Sequence, residues 1–181
     1  MSRTIAFLRA INVGGHIVKM DVLRQVFESL GFSNVETFIA SGNVVFDTRS
    51  KNLKALESKI EKGLRDALGY EVATFLRTES ELAAIAEYKP FPPSQLETAV
   101  ALNVGLLAGE VDDEARERFL GLKTDVDDFH VNGREVYWLC LKKQSESRLS
   151  NTVFEKKLGA KATFRGINTI NRLAAKYCTA K

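Results

Sequence analysis

The feature that most constrains this chain is that it repeats itself. At an offset of 91 residues, Ile11-Asn12-Val13-Gly14 aligns with Leu102-Asn103-Val104-Gly105. The same offset sets Val35 on Val126, Phe38 on Phe129, Gly42 on Gly133, Val45 on Val136 and Phe46 on Tyr137. At 90, Leu68-Gly69 meets Leu158-Gly159, and at 89, Ala73-Thr74-Phe75 meets Ala162-Thr163-Phe164. Three separated blocks in near-constant register indicate an internal duplication. The period is too long for a solenoid and suits two small domains within 181 residues.

The content of one repeat follows from its periodicities. Residues 4–10 read as a strand, followed by a Gly14-Gly15 loop. Met20, Leu23, Val26, Phe27 and Leu30 keep a helical period over 19–30, and Gly31 is a natural stop. Strands over 35–40 and 43–47 form a hairpin at Ser41-Gly42. A helix over 50–68, with Ser50 as its N-cap and Gly69 after its end, leads to a strand over 71–76. The order strand-helix-strand-strand-helix-strand is the split βαβ pattern of ferredoxin-like folds. Thr78 and Glu81 form a capping box for a helix over 80–88, and Pro90, Pro92 and Pro93 then stiffen a linker. The second repeat has a strand over 98–106, a helix over 112–120 and a hairpin over 126–131 and 134–141 around Asn132-Gly133. A helix over 150–158, a strand over 162–165 and an appended helix over 167–176 follow. The expected fold class is α+β: a tandem duplication of ferredoxin-like (βαββαβ) units with antiparallel sheets and an added C-terminal helix. The expected division is 1–77, a helix and Pro-rich linker over 78–96, and 97–181.

A sheet with one face in water alternates polar and apolar residues. The first strand does not: Ile5 and Phe7 point one way, Ala6, Leu8 and Ala10 the other. Tyr137 and Leu139, against Val136, Trp138 and Cys140, behave alike. Both faces are therefore expected to be covered, by the other half of the chain or by a partner subunit. Single-stranded RNA binding on an aromatic platform is disfavoured, because Ala6, Asn43 and Val45 stand where stacking rings would be needed.

Composition matters chiefly through its asymmetry. The net charge is +3, but residues 142–181 hold 10 Lys/Arg against 2 Asp/Glu, and the first 141 hold 16 against 21. A positive segment attracts nucleic acid, acidic proteins or phosphorylated metabolites, although such residues also serve simply to solvate helices. No apolar run approaches a membrane span, and the N-terminus lacks a signal-peptide layout. Cys140 and Cys178 make no disulfide framework, and there is no Cys/His cluster, so the expectation is a cytoplasmic protein without metal or cofactor.

In a split βαβ unit the exit of the first strand, the start of the first helix and the second-to-third strand turn share one end of the sheet. That brings Arg9, Asn12, Gly14, Gly15, His16, Lys19, Ser41 and Asn43 together as an anion cradle. It is not a P-loop, since no Gly-Lys-Ser/Thr follows the glycines. Asn12, Gly14 and Gly42 recur in the second half as Asn103, Gly105 and Gly133, so shared backbone roles explain them. Arg9, Gly15, His16, Lys19 and Asn43 do not recur. A second candidate is Arg165, Asn168 and Arg172 in the basic segment, where the last two lie four apart on one helix face. His16 and His130 are isolated, and no catalytic triad or carboxylate pair stands out.

Residues 7–15, Lys19-Met20 and Ser41-Gly42-Asn43-Val44-Val45-Phe46 resemble the opening motifs of the domain of unknown function 1697 family. Residues 154–159 and 165–173 resemble its closing motif. That resemblance implies a bacterial protein with a duplicated ferredoxin-like fold and supplies no activity. The chain departs from the family at Ala10, where Gly is usual, and at Gly166-Ile167, where Asn-Trp is usual.

The expectation from sequence is a non-catalytic binding module for an anionic ligand, either a phosphorylated metabolite or nucleic acid. One alternative is a small phosphate or acyl-phosphate hydrolase, with Arg9 or Lys19 holding phosphate and Asn43 orienting water. The other is an oligomeric interaction protein.

Overall fold

The computed structural model describes residues 1–12, 14–39 and 42–178. The chain folds as two compact units, Met1–Ala84 with Leu173–Lys181, and Ile85–Arg172. In the first, β1 (Ser2–Leu8), α1 (Met20–Ser29), β2 (Ser33–Thr37), β3 (Asn43–Thr48), α2 (Leu53–Leu68) and β4 (Thr74–Thr78) build a four-stranded sheet ordered β2-β3-β1-β4. Central β1 is antiparallel to both neighbours, with Ile5 opposite Val45 on one side and Arg77 on the other. One face carries the helices. Ala6, Leu8, Val44, Phe46 and Leu76 of the sheet pack with Leu23, Val26 and Phe27 of α1 and Leu56, Ile60 and Leu64 of α2. Each large side chain buried this way contributes roughly 1.5–3 kcal/mol, which makes this layer the main source of the unit's stability.

Helix ends follow local chemistry. The second helix starts at Leu53, later than expected, because Asn52 supplies the cap: its Oδ1 accepts from Ala55 N at 3.0 Å. The capping box ahead of α3 (Glu79–Glu87) is present, with Glu81 N donating to Thr78 Oγ1 at 3.2 Å and Thr78 N to Glu81 Oε2 at 2.8 Å. The proline segment does not stay extended. Pro93 opens a short helix, α4 (Pro93–Thr98), since the first helical turn needs no N–H from proline.

The second unit repeats the topology. Strands β5 (Ala101–Leu106), β6 (Asp127–Asn132), β7 (Glu135–Cys140) and β8 (Thr163–Gly166) are ordered β6-β7-β5-β8. Helices α5 (Asp113–Leu120) and α6 (Asn151–Leu158) bring Phe119, Phe154 and Leu158 onto Phe129, Val131, Val136, Trp138 and Cys140. Buried Asp127 accepts from Trp138 Nε1 at 2.8 Å and Thr124 Oγ1 at 2.8 Å, so its burial is compensated. Strand β8 runs directly into α7 (Ile167–Tyr177), whose last turns, from Leu173, belong to the first unit. There Tyr177 Oη donates to Glu36 Oε2 at 2.8 Å and Lys176 Nζ sits 3.0 Å from the same oxygen. Both contacts hold the Glu36 carboxyl below the usual range.

The duplication is therefore one of topology, but the constant sequence offset does not describe it. In the first sheet one rung reads Val45–Ile5–Arg77, and in the second Tyr137–Val104–Arg165. Both rungs face away from the helices and both end in a buried arginine. The equivalences are thus Val45 with Tyr137 and Ile5 with Val104. The sequence match instead put Val45 on Val136, which faces the helices. A slip of one residue turns a strand over, which is why the two registers cannot both hold. Likewise Ile11, Asn12 and Gly14 lie in the loop after β1, whereas Leu102–Gly105 lie inside β5. The supposed common role of Asn12 and Asn103, and of Gly14 and Gly105, is overturned with it. Gly14 holds a left-handed φ of 64°, while Gly105 is needed for space: a Cβ there would lie 2.5 Å from Val136 Cγ2 and 2.7 Å from the Phe164 ring.

The face away from the helices is buried in both units. Ile5, Phe7, Val45, Phe75 and Arg77 are buried in the first, Val104, Leu106, Tyr137, Leu139 and Arg165 in the second. Among the described residues, no exposed aromatic platform exists on these faces. Among the described residues, no helix is long and apolar enough to cross a membrane.

Three substitutions test this description. Gly105→Ala is expected to lower stability by about 1–3 kcal/mol through overpacking, read as a lower urea midpoint. Gly109→Ala, where an added Cβ meets nothing within 4 Å, is expected to change little. Ala10 holds φ 55°, in the left-handed region that favours glycine. Ala10→Gly is therefore expected to raise stability by about 1 kcal/mol, seen as a higher melting temperature.

Candidate functional site

The first candidate cluster lies where the β1–α1 loop meets the β2–β3 turn. The loop is pinned at its ends by Ile11 and Val18, both buried in the core, and closed by Val18 N donating to Asn12 Oδ1 at 2.9 Å. Tyr70 Oη donates to Ile11 O at 3.1 Å, and the His16 ring stacks on Tyr70 at 4.1 Å. Gly42 brings the turn against the loop: its carbonyl accepts from Leu8 N at 2.8 Å, and a Cβ there would lie 2.9 Å from Ile11 Cγ2.

The structure does bring these residues to one end of the sheet, but most of the polar groups serve the loop. The Asn12 carbonyl is occupied as described. Asn43 is fully buried and its Nδ2 donates to Phe38 O at 3.0 Å, so it braces its own turn, which is not the geometry of a group that orients water. Arg9 is half-buried, and its backbone N donates to Ala73 O at 2.9 Å. Gly14, Gly15 and Lys19 are exposed, and Lys19 precedes α1 without a side-chain cap. Ser41 lies outside the described residues.

The second candidate trio is divided. Arg165 is buried, its Nη1 donates to Thr163 Oγ1 at 2.8 Å and Phe164 O at 3.0 Å, and burial pushes its pKa down to about 10. It is an interior group of β8. Arg172 is exposed on α7. Asn168 lines a recess of about 410 Å³ in the second unit, together with Lys89, Leu96, Val100, Asn103, Gly166 and Asn171. Residue reasoning missed Lys89, Asn103 and Asn171. Asn103 could have been noticed as a polar residue between Leu102 and Val104, where an apolar strand has no evident use for one.

The basic stretch forms a third feature. Lys142, Lys143, Arg148, Lys156, Lys157 and Lys161 are all exposed. Lys156 and Lys157 occupy the last turn of α6, and the nearby Lys157 carbonyl accepts from Arg118 Nε at 3.0 Å. Among the described residues there is no group of His, Cys, Asp and Glu that could hold a metal ion.

His130 is not an isolated surface residue. Its Nε2 lies 2.7 Å from Tyr88 Oη, and the Tyr88, Phe91 and Tyr137 rings surround it. Burial first, then the Arg116 charge, lower its pKa from 6.5, with Asp128 opposing. The neutral form is favoured in the fold. Its contribution to stability is complete above the unfolded value and is lost as pH falls through the lower folded one. The melting temperature of the wild type is expected to fall further between about pH 7.5 and about pH 5 than that of His130→Gln. Parallel thermal scans of the two proteins would check this.

Comparison with known proteins adds the family and the fold. A conserved bacterial protein of Streptococcus pneumoniae has a similar structure, with a TM-score of 0.75 over 96% of this chain and 97% of that one. At 21% identity this likeness concerns the fold alone. No curated protein matches the chain. Residues 1–137 match the model of the family described as a protein of unknown function, DUF1697, a stretch that holds the Arg9–Gly15 and Gly42–Phe46 motifs and stops before α6. With three quarters of its length matched, the chain belongs to the DUF1697 family.

Proposed function

We propose that this protein is a non-catalytic binding module whose ligand is a phosphate-bearing polyanion, with nucleic acid favoured over a small phosphorylated metabolite. One observation carries the reading: six cations within residues 142–161 are exposed and none takes part in an ion pair among the described residues. Elsewhere some exposed Lys and Arg are matched, as in Arg24 with Asp21 and Lys62 with Asp66, while others such as Lys51 and Lys54 have no such partner among the described residues. Cations that only solvate a surface are commonly interspersed with acids, whereas an unmatched run favours a partner with distributed negative charge. The run is spread over a loop and a helix end instead of converging on one pocket. That distribution suits phosphates spaced along a backbone.

Fluorescence anisotropy with a labelled DNA duplex and a single-stranded RNA tests the proposal. With about four phosphates neutralised, affinity is expected to fall about 10²-fold between 50 and 200 mM salt. The triple variant Lys156→Gln, Lys157→Gln, Lys161→Gln should reduce the salt slope by about 3. Absence of binding to both nucleic acids at low salt, or an unchanged slope in the variant, would remove the proposal.

A further inference from the structure

We infer that the recess at the start of α7 is a binding site for a small organic anion: a carboxylate or phosphate monoester, carried on an apolar body with a hydroxyl or amide donor. Nothing in the family description assigns this site, and it is separate from the cations discussed above.

The inference starts from the strand-to-helix junction. Strand β8 ends at Gly166 and α7 begins at Ile167 without a connecting loop. Gly166 has no side chain with which to cap the helix, so the first-turn N–H groups lack that acceptor. Gly166, Ile167 and Asn168 form one wall of the recess, and Asn171 lies one turn on along the same face. The positive end of an eleven-residue helix therefore borders the space. Lys89 adds a charge, and no acidic residue lines the recess. A single cation beside one helix end matches a compact oxyanion better than a polyphosphate.

The second observation is Asn103, opposite Gly166 in the β5–β8 pairing. Asn103 is only 7% exposed, and it lines the recess. Its Nδ2 reaches only Cys140 Sγ, at 3.7 Å. Burial pushes that thiol up to about 11, so it stays protonated and is a weak acceptor. The amide oxygen of Asn103 accepts no hydrogen bond among the described residues. Solvent still reaches this oxygen, so either water or a bound donor must satisfy it. A ligand hydroxyl or N–H would do so. Leu96, Val100 and Pro90 supply apolar surface to the same lining. A volume of about 410 Å³ is within the usual range for small-molecule sites.

The test is nitrogen–proton NMR on the full chain, titrated with phenylacetate, 4-hydroxyphenylacetate, phenyl phosphate and neutral 2-phenylacetamide. The acids are expected to shift the backbone amides of Leu102, Asn103, Ile167 and Asn168. The neutral amide should bind about tenfold more weakly. The order of phenylacetate and phenyl phosphate tells which oxyanion the site prefers. Asn103→Ala should abolish the preference for the 4-hydroxy acid. Because that strand variant could fail to fold, Asn168→Asp gives an independent readout. An acid in the first helical turn stabilises the helix yet repels an anion, so binding of the acids should be lost in a folded protein. The inference falls if no acid shifts those amides up to about 20 mM. It falls equally if the neutral compound binds as well as the acids, or if Asn168→Asp binds them unchanged. Retained oligonucleotide binding by Asn168→Asp would separate this site from the basic stretch.

Discussion

Everything in this protein depends on two central strands that have no solvent side. Strand β1 is hydrogen-bonded along both edges, and its Ile5, Ala6, Phe7 and Leu8 are all buried. Strand β5 stands in the same position in its sheet, with Val104 and Leu106 buried on one face and Gly105 pressed under Val136 and Phe164 on the other. The enclosed stretch of such a strand offers no surface for chemistry, and of β5 only its first residues, Ala101–Asn103, border a recess. Polar side chains that could meet a ligand are displaced to the loops and to the points where strands give way to helices.

The paired buried arginines follow from the same enclosure. Arg77 is fully buried and Arg165 nearly so, on corresponding rungs of the two sheets. Each donates to the carbonyl of the residue before it, Arg77 to Leu76 at 2.8 Å and Arg165 to Phe164 at 3.0 Å. A buried guanidinium is tolerated because its planar donors are met by backbone oxygens, and removing a single partner would leave a costly desolvated group. From sequence alone Arg165 looked like a ligand for an anion. In the fold it supports the interior of its own unit, and only Asn168 of that trio borders a recess.

The loop cluster around Gly14 and Gly15 illustrates how far local reasoning reaches. Its residues do converge, since topology alone forces the β1–α1 loop toward the β2–β3 turn. Their side-chain assignments could not be read in advance, because an Asn amide serves equally to hold a ligand or to close a loop. Asn12 and Asn43 both close loops. Asn103 is the opposite case: its amide oxygen accepts no protein hydrogen bond among the described residues, and the residue lines a recess.

By itself the amino-acid order determined the succession of strands and helices, the capping box at Thr78 and Glu81, the concentration of positive charge after residue 141, and the family motifs. These are carried by contacts a few residues apart, or by composition. Only the tertiary structure decided which residues of the two halves correspond. Register is specified when one face of a strand is polar and the other apolar, because a one-residue slip then exposes the core. Here both faces of β1 and β7 are apolar, so the sequence holds no such marker. The same mismatch hid the recess at Asn103, whose shape depends on β8 ending at Gly166 opposite it, a pairing between residues 63 positions apart.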